Sequence, residues 1–139
     1  MRIRLVNTTA IAAVVAAVAS HAAAPATAKT TICGQKTGPH ATYTLMVNNK
    51  KLSGTTWTVF STGVPCAAAM KAAPKILAWW PKAKIDAVLN TSGFGCSKES
   101  DGHGSSGSIG CHYSGLKNIE LMMTASYTTS DLKRLFYIS

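Results

Sequence analysis

Residues 102–107, Gly-His-Gly-Ser-Ser-Gly, carry the G-x-G-x-x-G spacing of a dinucleotide-binding loop. The chemistry would be a phosphate cradle, with glycines letting the backbone approach a pyrophosphate held at a helix N-terminus. That use needs a strand before the loop, a helix after it and an acidic residue about 20 positions on. Here Gly107 is followed by Ser-Ile-Gly-Cys-His-Tyr-Ser-Gly, in which Ile109 and Tyr113 alternate as in a strand, and Glu120 lies in a further predicted strand. The setting for a nucleotide is missing. No G-K-[ST] exists to make a Walker A loop, and no cofactor is expected.

The same region holds His103, His112, Glu99 and Asp101, all of them metal-ligand types. Alternation turns His112 away from Ile109, Cys111 and Tyr113, toward solvent. His103 sits on a Gly/Ser tip, where fixing a tetrahedral site would cost ordering entropy. No metal is expected. A small ribonuclease would use His40 and His112 as general acid and base, with a lysine to stabilise phosphate. Any such enzyme predicts that two or more of His40, His103, His112, Glu99 and Asp86 converge in one cleft. Nothing in their spacing brings them together, and the G-x-S-x-G elbow of a serine hydrolase is absent. A protease-inhibitor loop must be stiff before it binds, and Ser-Asp-Gly-His-Gly-Ser-Ser-Gly-Ser has the opposite composition. No catalytic residue is assigned.

Binding chemistry has a clearer source in the segment 62–81, Thr-Gly-Val-Pro-Cys-Ala-Ala-Ala-Met-Lys-Ala-Ala-Pro-Lys-Ile-Leu-Ala-Trp-Trp-Pro. Cys66, Met70, Ala73, Leu77 and Trp80 recur at helical spacing and form one apolar face. Lys71, Lys75 and Trp79 fall roughly opposite, with Lys75 and Trp79 at i, i+4 and suitably placed for a cation–π contact. Lys82 and Lys84 follow. These five residues are the expected binding surface, unless Trp79 is capped by a neighbouring segment.

The elements that position this surface follow from local patterning. Residues 30–34 and 41–49 read as strands, with Tyr43, Leu45 and Val47 on one face, and 55–61 completes a hairpin through Trp57 and Val59. Thr62 or Gly63 can open the helix, Pro65 suits its first turn, and Pro74 predicts a kink or a break. Residues 82–90 fit either a helical turn or a connecting strand. Strands then flank the glycine-rich tip, and Ile119, Leu121, Met123 and Ala125 mark one face of another. Ser130 can cap a short C-terminal helix, although that segment could also end as a strand. This is an α+β domain: about five antiparallel strands packed on one main, Pro-kinked helix.

All four cysteines lie beyond residue 28, and none forms a C-x-x-C pair, so two disulfides are expected rather than a zinc site. Three connectivities are possible, and the crossed ones stay open; in the expected one, Cys33 with Cys66 would tie the first strand to the helix. Cys96 with Cys111 would close a hairpin.

The order of these motifs resembles a group of small exported actinobacterial proteins, mostly uncharacterised: a cysteine early in an Ala-rich helix (Pro-Cys-Ala-Ala-Ala-Met), then Gly-Phe-Gly-Cys, then Ile-Gly-Cys-His-Tyr-Ser-Gly. The resemblance spans about Cys66 to Met123. It implies an exported, disulfide-stapled α+β fold and carries no catalytic residues across.

Export is also read from the N-terminus. A basic start, Met-Arg-Ile-Arg, leads into an apolar run to about Val18 and a small-residue zone ending Ala26-Thr27-Ala28, the plan of a signal peptide. The run is shorter than the about 20 residues a membrane span needs. Residues 1–28 are therefore the expected signal and 29–139 one secreted domain. Removing the two arginines of the signal leaves twelve basic and five acidic side chains, a net +7. Such a charge favours an anionic polymer or an acidic partner protein. The expected function is a non-enzymatic, cationic binding module, against the alternative of a small secreted hydrolase with histidine acid–base chemistry.

Overall fold

The computed structural model describes residues 28–84, 87–91, 93–100, 102, 106–113, 115 and 117–139. The expected signal lies outside these apart from its last residue, as do Asp86, Asp101 and His103. Strand β1 (Thr30–Leu45) pairs with β2 (Lys50–Thr62), and helix α1 (Cys66–Trp79) follows, continued by a 3-10 turn (Trp80–Lys82). Then come β3 (Val88–Thr91), β4 (Phe94–Glu99), β5 (Ser108–His112), β6 (Asn118–Met123) and helix α2 (Thr129–Leu135). The six strands form one antiparallel sheet in the order β1-β2-β6-β5-β4-β3. The α+β class, the single main helix and both disulfides are as the sequence predicts.

The two segments predicted as separate strands are one. Register shifts between Ile32 and Gly34 and between Thr37 and Ala41 let β1 pass its glycines and Pro39 while staying paired to β2. Bulges absorb residues that a regular ladder cannot hold, and an edge strand tolerates the proline's missing N–H. β1 ends at Leu45, so Val47 lies in the turn and is exposed rather than sharing the buried face of Tyr43 and Leu45. β6 likewise ends at Met123, and Ala125 is exposed.

Register sorts the side chains into two faces. Trp57 and Met123 form one row, Val59, Leu121 and Ile109 a second, and Ile119, Cys111 and Cys96 a third. All of these are buried. α1 covers this face with Ala69, Ala73, Ile76 and Leu77, and the 3-10 turn adds Trp80. The helix starts at Cys66, later than Thr62 or Gly63, with the carbonyl of Pro65 accepting from the amides of Ala68 and Ala69. It passes Pro74 as a single element. The Trp57 and Trp80 rings meet edge-on, with centroids 5.0 Å apart. Lys98 of β4 places its Nζ over the Trp80 ring and donates to the carbonyls of Trp80 and Ala83, at 3.4 and 3.0 Å. The Trp80 carbonyl also accepts from the Ala83 amide at 3.1 Å, so the cation adds to the bond that closes the turn and caps the Ala83 carbonyl just beyond it. Cys33–Cys66 joins β1 to the start of α1, and Cys96–Cys111 links directly opposed residues of β4 and β5.

The opposite face carries Thr58, Phe60, Met122, Glu120, Ser108, Glu99 and His112. The C-terminal segment covers part of it, with Phe136 edge-on to Phe60 at 5.7 Å. α2 is capped by Thr128, two residues before the predicted Ser130. Thr128 accepts from the Asp131 amide while the Asp131 carboxylate accepts from the Thr128 amide. This reciprocal box is what selects Thr128, because Ser130 has no acid three positions on.

Candidate functional site

A groove of about 370 Å³ runs between the second bulge of β1 and the C-terminal half of α1. Lys36, Thr37 and Pro39 line one side, and Pro74, Ala78 and Pro81 the other. Its construction starts with register. Thr37 faces Thr56 and Ala41 faces Gly54, so Gly38, Pro39 and His40 together oppose Thr55 alone. The bulge is held down by the Trp57 indole, whose Nε1 donates to the Pro39 carbonyl at 2.9 Å. Gly38 lies so close to that ring that a Cβ would come within 2.7 Å of Trp57 Cδ1. Any larger residue would lift the bulge and open the groove floor. His40 is drawn to the side, with Nε2 at 3.1 Å from Ser53 Oγ.

Along α1 and the 3-10 turn, Lys71, Lys75, Ala78 and Lys82 recur at spacings of 4, 3 and 4 and share the face bordering the groove. All three lysines are exposed, as is Lys84. Among the described residues the ion pair present is Arg134–Asp131, on α2, so these four ammonium groups are unpaired by any described carboxylate. Lys71 and Lys75 stand one turn apart, and Lys82 follows about 10 Å beyond Lys75 at helical rise. The result is a line of positive charge beside an apolar trough with proline on both walls.

Trp79 behaves differently from the lysines. It is half-buried and packs against the core. Among the described residues the cation–π contacts belong to Lys98 over Trp80 and Lys50 over Tyr127. Trp80 is buried with its Nε1 unpartnered among the described groups, which costs about 1–3 kcal/mol and makes it a packing residue chosen for area. The sequence missed Lys36 and the Gly38–Pro39 wall. The signal was present in Thr-Gly-Pro-His, but it marks a strand break and a bulge equally well.

The histidines are separated. His40 lies on edge strand β1 and His112 on β5, three strand spacings away, on the order of 14 Å. His112 is exposed and shares its face with Glu99 and Glu120. The Glu99 carboxylate extends over Gly110, whose missing side chain leaves it room. Glu120 lies in a second pocket of about 240 Å³ with Phe60, Met122, Phe136 and Ile138. Burial pushes its carboxyl above the ordinary glutamate value, and the nearby Glu99 charge adds to this. The Ser108 hydroxyl and His112 pull the other way. Sequence reasoning passed over Glu120 because alternation assigns it to a solvent face, which the C-terminal segment then covers. Among the described residues, no three His, Cys, Asp or Glu side chains are arranged to hold a metal.

Comparison of the chain with family models, with curated proteins and with solved structures gives no match. No described helix is long and apolar enough to cross a membrane.

Proposed function

We propose that the chain is an exported, non-enzymatic binding module, released after Ala28, whose α1 surface holds an anionic polymer. The observation that carries this reading is the row of Lys71, Lys75 and Lys82 beside a proline-walled groove, with Lys36 across it. Exposed ammonium groups keep their hydration when unbound and exchange it for anionic groups on contact. Flat apolar walls beside them favour a polymer with ring faces, such as a charged polysaccharide. Affinity should come from many weak contacts and fall as salt screens them.

The test is binding to heparin, a polysulfated polysaccharide, by the oxidised protein from residue 29 on. The expected result is binding at low ionic strength that weakens steadily with added salt. The variant with Lys71, Lys75, Lys82 and Lys84 all changed to Gln should bind at least about tenfold more weakly, since exposed charges act chiefly through the summed field. Unchanged affinity of that variant, or binding indifferent to salt, contradicts the reading. The hydrolase alternative rests on the meeting of His112, Glu99 and Glu120 on one face. RNA or cell-wall hydrolysis abolished by Glu120→Gln would replace the binding reading with that one.

A further inference from the structure

The turn between β1 and β2, residues 46–49, is built against the usual logic of turns. All four of its residues are exposed: Asn48 and Asn49 fix its shape, while Met46 and Val47 present apolar surface to water. Asn48 accepts from the Lys50 amide through Oδ1 at 3.1 Å and donates through Nδ2 to the Tyr127 hydroxyl at 2.8 Å. Asn49 takes the left-handed conformation, with φ 55°, which asparagine tolerates better than most residues. Lys50 returns over the Tyr127 ring, 4.6 Å from its centroid. These contacts fix the turn from below, while Met46 and Val47 are 80% and 50% exposed. Nothing in the fold needs them apolar, since the strand register and the Asn48 clamp already define the turn. Lys50 and Lys51, both exposed, stand directly behind them.

From this arrangement we infer that the β1–β2 tip is a membrane-surface anchor that inserts Met46 and Val47 into an anionic phospholipid leaflet. The apolar pair enters the boundary between headgroups and acyl chains, while Lys50 and Lys51 lie at headgroup level against phosphate. The occupant follows from charge. A protein carrying a net +7 beyond residue 28 is drawn toward an anionic leaflet, and the apolar tip then converts attraction into retention. Because the turn is tied to Tyr127 before contact, little ordering is left to be done on insertion. This surface is separate from the lysine row of α1 and does not depend on the polymer reading.

The experiment is co-sedimentation of the oxidised protein with vesicles of phosphatidylcholine alone or mixed with equal phosphatidylglycerol. Binding to the mixed vesicles and not to phosphatidylcholine is expected. Met46→Ser/Val47→Ser should weaken it about tenfold or more through the lost apolar burial. Lys50→Gln/Lys51→Gln should weaken it by a similar factor. Heparin binding should survive Met46→Ser/Val47→Ser, while the four-lysine α1 variant should keep its vesicle insertion, read as a rise in monolayer surface pressure. The four tip residues are exposed, and unchanged circular dichroism checks the fold. Because Lys50 also contacts the Tyr127 ring, the single variant Lys51→Gln, expected to lose part of the vesicle binding, separates lost charge from a loosened turn. The inference is overturned if the wild-type protein ignores phosphatidylglycerol, or if Met46→Ser/Val47→Ser binds vesicles as well as wild type. It is also overturned if that variant instead abolishes self-association, which would make the tip a contact with a second copy.

Discussion

The face of the sheet beneath α1 carries Trp57, Val59, Ile109 and Leu121, all buried, together with both disulfides. The face beneath the C-terminal segment carries Thr58, Ser108, Glu120 and His112 beside Phe60 and Met122, with no covalent tie among the described residues. One is closed by a helix bonded to the sheet at its start and clamped by Lys98 at its end. The other is closed by the C-terminal segment without a disulfide, through Phe136 on Phe60, the buried Leu132 and Ile138, and leaves a pocket around a carboxylate. The contrast separates two tasks. The α1 side holds the fold rigid enough to present a lysine row, and the α2 side tolerates polar groups because less depends on it.

Truncating the central aromatic on each side gives the largest test of this asymmetry. Trp57→Ala should cost about 3–5 kcal/mol by cavity formation, at the upper end because the indole also holds the Pro39 carbonyl. Phe60→Ala should fall at the lower end, where the C-terminal segment can settle inward. Urea unfolding of both variants measures it, and a larger loss at Phe60 would reverse the assignment of the two faces.

Next in size are the disulfides. Cys33→Ser/Cys66→Ser opens a loop of sequence separation 33 and Cys96→Ser/Cys111→Ser one of 15. Chain entropy assigns them about 3.7 and about 3.0 kcal/mol. Thermal unfolding of the two double variants should show similar, large losses, with the first slightly larger. A negligible loss for Cys33–Cys66 would mean that packing alone holds α1 on the sheet.

The smallest effect belongs to the α2 side and depends on pH. Because burial and Glu99 raise the Glu120 carboxyl in the folded protein, the folded state keeps that proton longer than the unfolded chain does. Stability from this group is therefore greatest in acid and falls as pH rises from about 4.5 through the raised folded value. Glu120→Gln should flatten that fall and raise the urea midpoint at neutral pH. Asp131 acts in the opposite sense and at lower pH. Held at about 2 by its bonds to Thr128 and then Arg134, it supports α2 above its ordinary 3.8, and the support disappears as pH falls through about 2. A neutral-pH midpoint lowered by Glu120→Gln would show that the carboxylate is a structural partner rather than a tolerated burden.

Much of the α1 side was legible in the sequence, for a local reason. Cys66 at the head of an amphipathic run and cysteines on either side of a glycine-rich tip point to the observed pairing, although the sequence left the crossed pairings open. Ile119, Leu121 and Met123 show strand alternation directly. What escaped were features decided by distant contacts. Thr-Gly-Pro-His reads as a break between strands, and only Trp57, eighteen residues on from Pro39, turns it into a bulge with a wall. Glu120 reads as exposed, and Phe136 and Ile138 cover it from the far end of the chain. The lysines were legible as a face. Trp79 is half-buried against the core, the alternative the sequence left open, because helical periodicity alone does not show how much of a flank its neighbours will cover.

The proposed binding surface is the α1 lysine row with its groove. Amide chemical shifts of the labelled, oxidised protein, followed during titration with short heparin fragments, test it most directly. Shifts should concentrate at Lys36–Gly38 and along Lys71–Lys84 and fade as salt is added. Shifts centred instead on Glu99, His112 and Glu120, or spread evenly over every exposed lysine, would contradict it.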